Sequence, residues 1–320
     1  MLALVFPGQG SQEVGMGRDV YEASPAASAV FDAADRALGF ELSALCFEGP
    51  EAELMRTEIQ QPAILTTSIA LLRALEERAP VEPVFVAGHS LGEYSALVAA
   101  GALGFQEAVV LVNARGRFMQ QAVPEGVGAM AAVMGMGPNE VAEVCAEIAA
   151  GSDQVVAPAN FNSPQQTVIA GHAAAVERAC SRAKELGAKR AIGLPVSAPF
   201  HCALMEPAAN ELALELERVQ FADAKPPVVS NVEAEPNGDG TRTAELLRRQ
   251  VTAPVRFCEI VTRLCGLGID HFLEIGPGRV LSGLIARIER RTNRAGLSSL
   301  SDLDGAHEFV TGGAAQLRGE

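Results

Sequence analysis

Residues 84–97 read VFVAGHSLGEYSAL, and the change of texture at Gly88 decides the fold. The unbroken apolar run before it predicts a strand buried on both faces, and the residues after Gly92 read as a helix. Between them, Gly88-His89-Ser90-Leu91-Gly92 fits G-x-S-x-G, in which a serine stands on a sharp strand-to-helix turn with its hydroxyl exposed. The following helix directs its first amides at the same spot, so the Leu91 N–H is a candidate donor to a developing oxyanion. A glycine-rich connection holding an idle serine is the competing reading.

Working outward, residues 2–8 (LALVFPG) form a second short apolar strand. Residues 62–78 carry helical spacing with Pro62 placed in the first turn, and residues 104–123 form an amphipathic helix stopped by Pro124. Alternating strands and helices predict an α/β fold with a parallel, doubly wound core resembling that of α/β-hydrolases. Past residue 127 the order becomes strand 129–135, helix 138–150, strands 154–161 and 167–171, helix 173–187 and strand 189–197. That order is the split βαβ pattern of a ferredoxin-like unit. The expected division is a large catalytic subdomain, 1–126 with 196–320, and a small inserted subdomain, 127–195. The large unit resumes with a helix near 205–218, strands at 226–232 and 271–275, helix 278–292, and a loop with a closing helix after 300. The cleft between the units is the expected site.

The chain has 320 residues, 48% of them hydrophobic, with a mean hydropathy of +0.18, as a globular protein requires. Its net charge of −14 opposes nucleic-acid binding, which rests on cations neutralising phosphates. No apolar run is long enough for a membrane span, and MLALVFPGQG lacks the basic start of a signal peptide. Six scattered cysteines without a CxxC pair fit a reducing cytoplasm better than disulfides or zinc.

A serine nucleophile needs a base. Of five histidines, His89 sits inside the turn and is poorly directed. His172, His271 and His307 fall on a loop, a strand start and the polar tail. His201 stands in PVSAPFHCALMEPA (195–208), where the chain re-enters the large core. No late carboxylate–histidine pairing suggests a triad, so a backbone carbonyl is the alternative means of fixing the imidazole tautomer. Arg115 and Arg117, two apart on one helix, cannot both face the cleft. A snorkelling surface arginine is the ordinary reading, while one facing the nucleophile would be a receptor for a carboxylate-bearing acyl group.

FPGQGSQ (6–12), GHSLGEYSAL (88–97) and PVSAPFHCALMEPA together closely resemble the bacterial malonyl-CoA:acyl carrier protein transacylases, within the wider acyltransferase-domain family. QPAI (61–64), RGRFMQQAVPEG (115–126), GAMAAV (128–133), NFNSPQQTVIAG (160–171) and EIGPG (274–278) extend the resemblance along nearly the whole chain. It implies that Ser90 is acylated, that His201 is its base, and that Arg115 rather than Arg117 receives the malonyl carboxylate. It further implies that Gln9 supplies a second oxyanion amide beside Leu91. The histidine would be oriented by a main-chain carbonyl near Gln250, and Asn162 would lie along the cleft.

The implied partners are malonyl-CoA and acyl carrier protein, with no cofactor or metal, in a monomer. Phe200 departs from the family pattern, which has a small polar residue before the histidine, and so leaves acyl selectivity open. Both partners are anionic while the chain is acidic. Local basic groups at Lys184, Lys189 and Arg190, and at Arg279, Arg287, Arg290, Arg291 and Arg294, are the candidate dock, against the alternative of an ordinary solvated face. A serine esterase or thioesterase and a non-catalytic carrier-binding scaffold are the competing functions.

Overall fold

The computed structural model describes residues 1–150, 152–196 and 198–317. Ser197 of the PVSAPFH segment and the last three residues of the expected closing helix lie outside the described residues. Strand β1 (Leu2–Phe6) is followed by helices α1 (Arg18–Ala23), α2 (Pro25–Leu38), α3 (Leu42–Glu48), α4 (Glu51–Leu54) and α5 (Thr57–Glu76). Strand β2 (Phe85–Gly88), α6 (Gly92–Ala99) and α7 (Phe105–Gln121) come next. The middle of the chain runs β3 (Gly128–Met134), α8 (Pro138–Ala150), β4 (Val156–Ser163), β5 (Gln166–His172), α9 (Ala173–Glu185) and β6 (Arg190–Gly193). The last third holds α10 (Glu206–Leu216), β7 (Val228–Val229), β8 (Pro236–Asn237), α11 (Gly240–Thr252) and α12 (Phe257–Gly266). It ends with β9 (His271–Ile275), α13 (Val280–Ile288), β10 (Asn293–Leu297) and α14 (Leu303–Leu317).

The larger sheet has the order β10-β9-β1-β2-β7-β8 and is parallel apart from the β7–β8 edge pair. Residues of β1 alternate between two cores, as a pleated strand requires. Leu4 and Phe6 point into a cluster with α2, α5, α6, α7 and α10, while Ala3 and Val5 pack with α12 and α13. Helices therefore cover both faces. The second sheet, β4-β5-β3-β6, is antiparallel. One face packs on α8 and α9. Met130, Ala132, Val168 and Ala170 turn the other face into the main core. Among the described residues, no helix is long and apolar enough to cross a membrane.

Four elements differ from the sequence reading, one being the expected strand over 189–197, within which Arg190–Gly193 forms β6. Pro62 lies inside α5, which starts at Thr57, and not in its first turn. A proline there strands the carbonyl four residues back. Asn113 of α7 donates its Nδ2–H to that Glu58 oxygen at 2.8 Å. The two helices can meet this closely because Gly116 has no side chain; a Cβ there would sit 2.5 Å from the Thr57 oxygen. The expected strand over 226–232 shrinks to Val228–Val229. The expected helix over 278–292 ends at Ile288, and Asn293–Leu297, a stretch without β-branched residues, becomes an edge strand through its ladder with β9.

Candidate active site

Local backbone crowding makes the serine turn. A Cβ on Gly88 would meet the Gly92 carbonyl carbon at 1.9 Å, and one on Gly92 would meet the Phe6 oxygen at 2.1 Å. Only glycine allows β2, its turn and β1 to approach this far. Ser90 itself has a φ of 52°, in the left-handed region that L residues avoid. Asn231 holds the turn there: its Oδ1 accepts from the Ser90 N–H at 2.7 Å and its Nδ2–H donates to the Gly88 oxygen at 2.7 Å. The three residues beyond β7 that fail to extend the expected strand, Ser230 to Val232, thus include the clamp on the nucleophile.

His201 also has a positive φ, 60°, and its Nε2 lies 2.7 Å from Ser90 Oγ. Its Nδ1 lies 2.8 Å from the main-chain oxygen of Gln250 in α11. A carbonyl can only accept, so Nδ1 carries the proton and Nε2 presents its lone pair to the serine. Burial, and next the Arg115 cation, push this histidine down to about 3. It is therefore a neutral base.

Arg115 is 1% exposed. Its Nη1–H donates to Gln61 Oε1 at 2.7 Å, and Nη2 donates to Gln250 Oε1 at 2.9 Å and to Ser90 Oγ at 3.1 Å. The guanidinium also lies 5.5 Å from the Tyr94 ring centre. A guanidinium has five N–H donors. Nε–H has no hydrogen-bond partner among the described residues. Arg117 is exposed and lies over Phe118.

Ser90, His201 and Arg115 share a cavity of about 270 Å³ with Gln9, Met130 and Phe200, so both sheets contribute to its wall. Gln9 lies in the turn after β1 and Leu91 is the N-cap of α6; neither amide has a hydrogen-bond acceptor among the described residues. Gln250 is wholly buried behind the cavity and orients the histidine and the arginine. Asn162 is not among the lining residues: its Oδ1 lies 2.8 Å from His89 Nε2, and Asn160 takes the wall position. That contact occupies His89, which burial pushes below the usual histidine range. Sequence reasoning missed Gln61, Glu93 and Asn231. The first two lie within quoted motifs, and Glu93 is the only charge in an otherwise apolar helix start.

Of the basic residues, Lys189, Arg287 and Arg290 come together in a separate surface groove with the β4–β5 turn. Arg279 instead pairs with Asp302, and Arg294 folds back on Thr292.

The acyl transferase domain model matches residues 3–297. The chain belongs to this acyl transferase family. The malonyl CoA-acyl carrier protein transacylase of Escherichia coli K12 is 50% identical to this acyl transferase over 309 residues, covering 96% of the chain and 99% of the relative. The solved malonyl CoA-acyl carrier protein transacylase of Coxiella burnetii superposes with a TM-score of 0.94 at 43% identity, covering 97% and 98% of the two chains. A malonyl-transacylase solved in complex with its type II PKS acyl-carrier protein superposes at 0.93 with 46% identity, covering 96% and 99%.

Proposed function

We propose that this acyl transferase carries malonyl from malonyl-CoA to the phosphopantetheine thiol of acyl carrier protein, through a malonyl ester on Ser90. His201 Nε2 takes the Ser90 proton as Oγ attacks the thioester carbonyl. The Gln9 and Leu91 amides hold the oxyanion, each such donor contributing about 3–4 kcal/mol in enzymes of this kind. The intermediate collapses, the proton passes to the departing CoA sulfur, and malonyl remains as an oxygen ester. The carrier thiol then enters, gives its proton to His201 and attacks the ester, and Ser90 is released with its proton restored. The two thioesters are close in energy, so the reaction is reversible and ping-pong.

The observation that carries this reading is the buried cation beside the nucleophile. Arg115 lines the cavity with Ser90, and its Nε–H has no partner among the described residues, which leaves the cation donor capacity for a malonyl carboxylate. A water-excluding wall and a fixed acyl group favour transfer over hydrolysis. The same reading takes residues 127–195 as a ferredoxin-like subdomain set into an α/β-hydrolase-like one, and the order β4-β5-β3-β6 supports it. The Lys189, Arg287 and Arg290 groove supplies positive charge for an acidic carrier. The enzyme acts as a cytoplasmic monomer supplying fatty-acid synthesis and uses no cofactor.

Intact-mass measurement after mixing with malonyl-, methylmalonyl- or acetyl-CoA tests the proposal. A malonyl adduct that Ser90→Ala abolishes and added carrier protein discharges is the expected result. Free malonate released faster than transfer would make it a hydrolase, and no adduct at all would leave a carrier-binding scaffold.

A further inference from the structure

Among the described residues, Arg115 has no carboxylate partner. Every protein group that accepts from it is neutral: two glutamine amides and the serine hydroxyl. The nearest acid stands one residue further out. Glu93, in the first turn of α6, is 3% exposed. Its Oε2 accepts from Gln250 Nε2 at 2.7 Å and from the Asn231 N–H at 3.1 Å. Gln250 Nε2 also donates to the Ser90 carbonyl at 3.0 Å, while Gln250 Oε1 faces Arg115.

The orientation of that amide is the crux. A terminal amide is two-faced, and rotating it by half a turn exchanges donor for acceptor. Rotation here would press an NH2 against a guanidinium and a carbonyl against a carboxylate, both buried. Glu93 therefore locks the Gln250 amide with its oxygen toward Arg115. A carboxylate in direct contact would have paired with the guanidinium and occupied its donors. A carboxylate acting through an amide fixes the cation's position and leaves donors free.

We propose that Glu93 is a positioning residue for acyl selectivity, aiming the Arg115 guanidinium through Gln250 so that its remaining donors meet the carboxylate of the acyl group. This rests on the malonyl-transfer reading. Both hydrogen bonds converge on a single Glu93 oxygen, so a glutamine carbonyl can replace it, whereas a thioether cannot.

The test compares wild type, Glu93→Gln and Glu93→Met in kcat/KM for malonyl-CoA, in acetyl-CoA transfer, and in the rate at which methanesulfonyl fluoride labels Ser90. The His201 contact runs to the Gln250 backbone, but the relay also touches Ser90 through Arg115 Nη2 and Gln250 Nε2, so a smaller loss common to all three readouts is expected beneath the selective one. Glu93→Met is expected to lose about 30-fold to 100-fold with malonyl-CoA, the scale of a misplaced binding group, while acetyl transfer and labelling fall by less than about tenfold. Glu93→Gln is expected to keep the wild-type malonyl-to-acetyl ratio within about threefold, since it preserves the acceptor. Gln250→Leu breaks the relay at its middle and is expected to lower the malonyl-to-acetyl ratio likewise, beyond whatever loss it brings to both substrates through Ser90 and His201, which decides the matter should Glu93→Met not fold.

Equal losses in all three readouts, an unchanged ratio in Glu93→Met, or a Glu93→Gln defect as deep as that of Glu93→Met would overturn the positioning role. Failure of the wild type to acquire malonyl would instead overturn the transfer reading beneath it.

Discussion

Replacing Arg115 with alanine separates recognition of the acyl group from the chemistry at its thioester. The guanidinium is fully enclosed, so its contact with a bound carboxylate is desolvated, and truncating such a contact costs about 3–4 kcal/mol. The variant also forfeits the Nη2 bond to Ser90 Oγ, worth about 1 kcal/mol. Malonyl transfer therefore loses about 4–5 kcal/mol, or roughly 10³-fold in kcat/KM. An acetyl group has no carboxylate, so it loses only the serine contact, roughly fivefold to tenfold. Carrier-dependent transfer measured with labelled malonyl-CoA and acetyl-CoA on the same preparation reads the difference directly. The variant leaves the Gln61 and Gln250 amide oxygens without their donor, so a lowered Tm is expected and must be recorded beside the rates. Equal factors for the two substrates would refute the carboxylate-receptor role, because a cation acting only on the serine or on the fold cannot tell the acyl groups apart.

The Arg115 cation is one of the groups that depress His201. In Arg115→Ala the acid limb of kcat/KM for acetyl-CoA should therefore move to higher pH, and an unmoved limb would remove Arg115 from that balance. Glu93 is raised from 4.5 to about 7, chiefly by burial, so the folded chain holds this proton more tightly than the unfolded one. Its contribution to stability is complete below about 4.5 and lost as pH rises through about 7. Glu93→Gln cannot ionise, so its stability relative to wild type should climb between pH 5 and pH 8 by up to about 3 kcal/mol; a constant difference in thermal melts would contradict the buried-acid assignment. Arg287→Glu with Arg290→Glu should raise the KM for carrier protein about fivefold and flatten its salt dependence, and an unchanged KM would reduce the groove to an ordinary charged face.

The serine turn was legible because backbone crowding writes itself into sequence as glycine. Gly88 and Gly92 bracket Ser90 for the same reason that a Cβ at either would collide with neighbouring main chain. His201 was singled out by its place where the chain re-enters the large core, whereas only resemblance chose Arg115 over Arg117. What stayed hidden depends on contacts between distant segments. The position of Pro62 reads as a helix start until Asn113, on another helix, takes up the carbonyl it strands. β10 has little intrinsic strand preference and exists through its neighbour. The helices α1 to α4, α11 and α12 carried no sequence assignment. Asn231 read as strand, because nothing local announces that its side chain is spent on the Ser90 turn. Asn162, expected along the cleft, contacts the cavity-lining His89, and Asn160, two residues earlier on β4, lines the cavity itself.

The Asn113 contact has a bearing on how selectivity could drift. α5 supplies Gln61 and α7 supplies Arg115, and these two must stay aligned to within a fraction of an ångström for their hydrogen bond to hold. The orphaned Glu58 oxygen and the glycine saddle at Gly116 make sliding of one helix along the other self-penalising, since any slip strands a polar atom or drives a bulkier residue into the backbone. The pair works as a ratchet set at a single notch. Loosened acyl choice in descendants of this enzyme is therefore to be sought at Asn113 and Gly116, outside the lining of the cavity, as readily as among the side chains the acyl group touches.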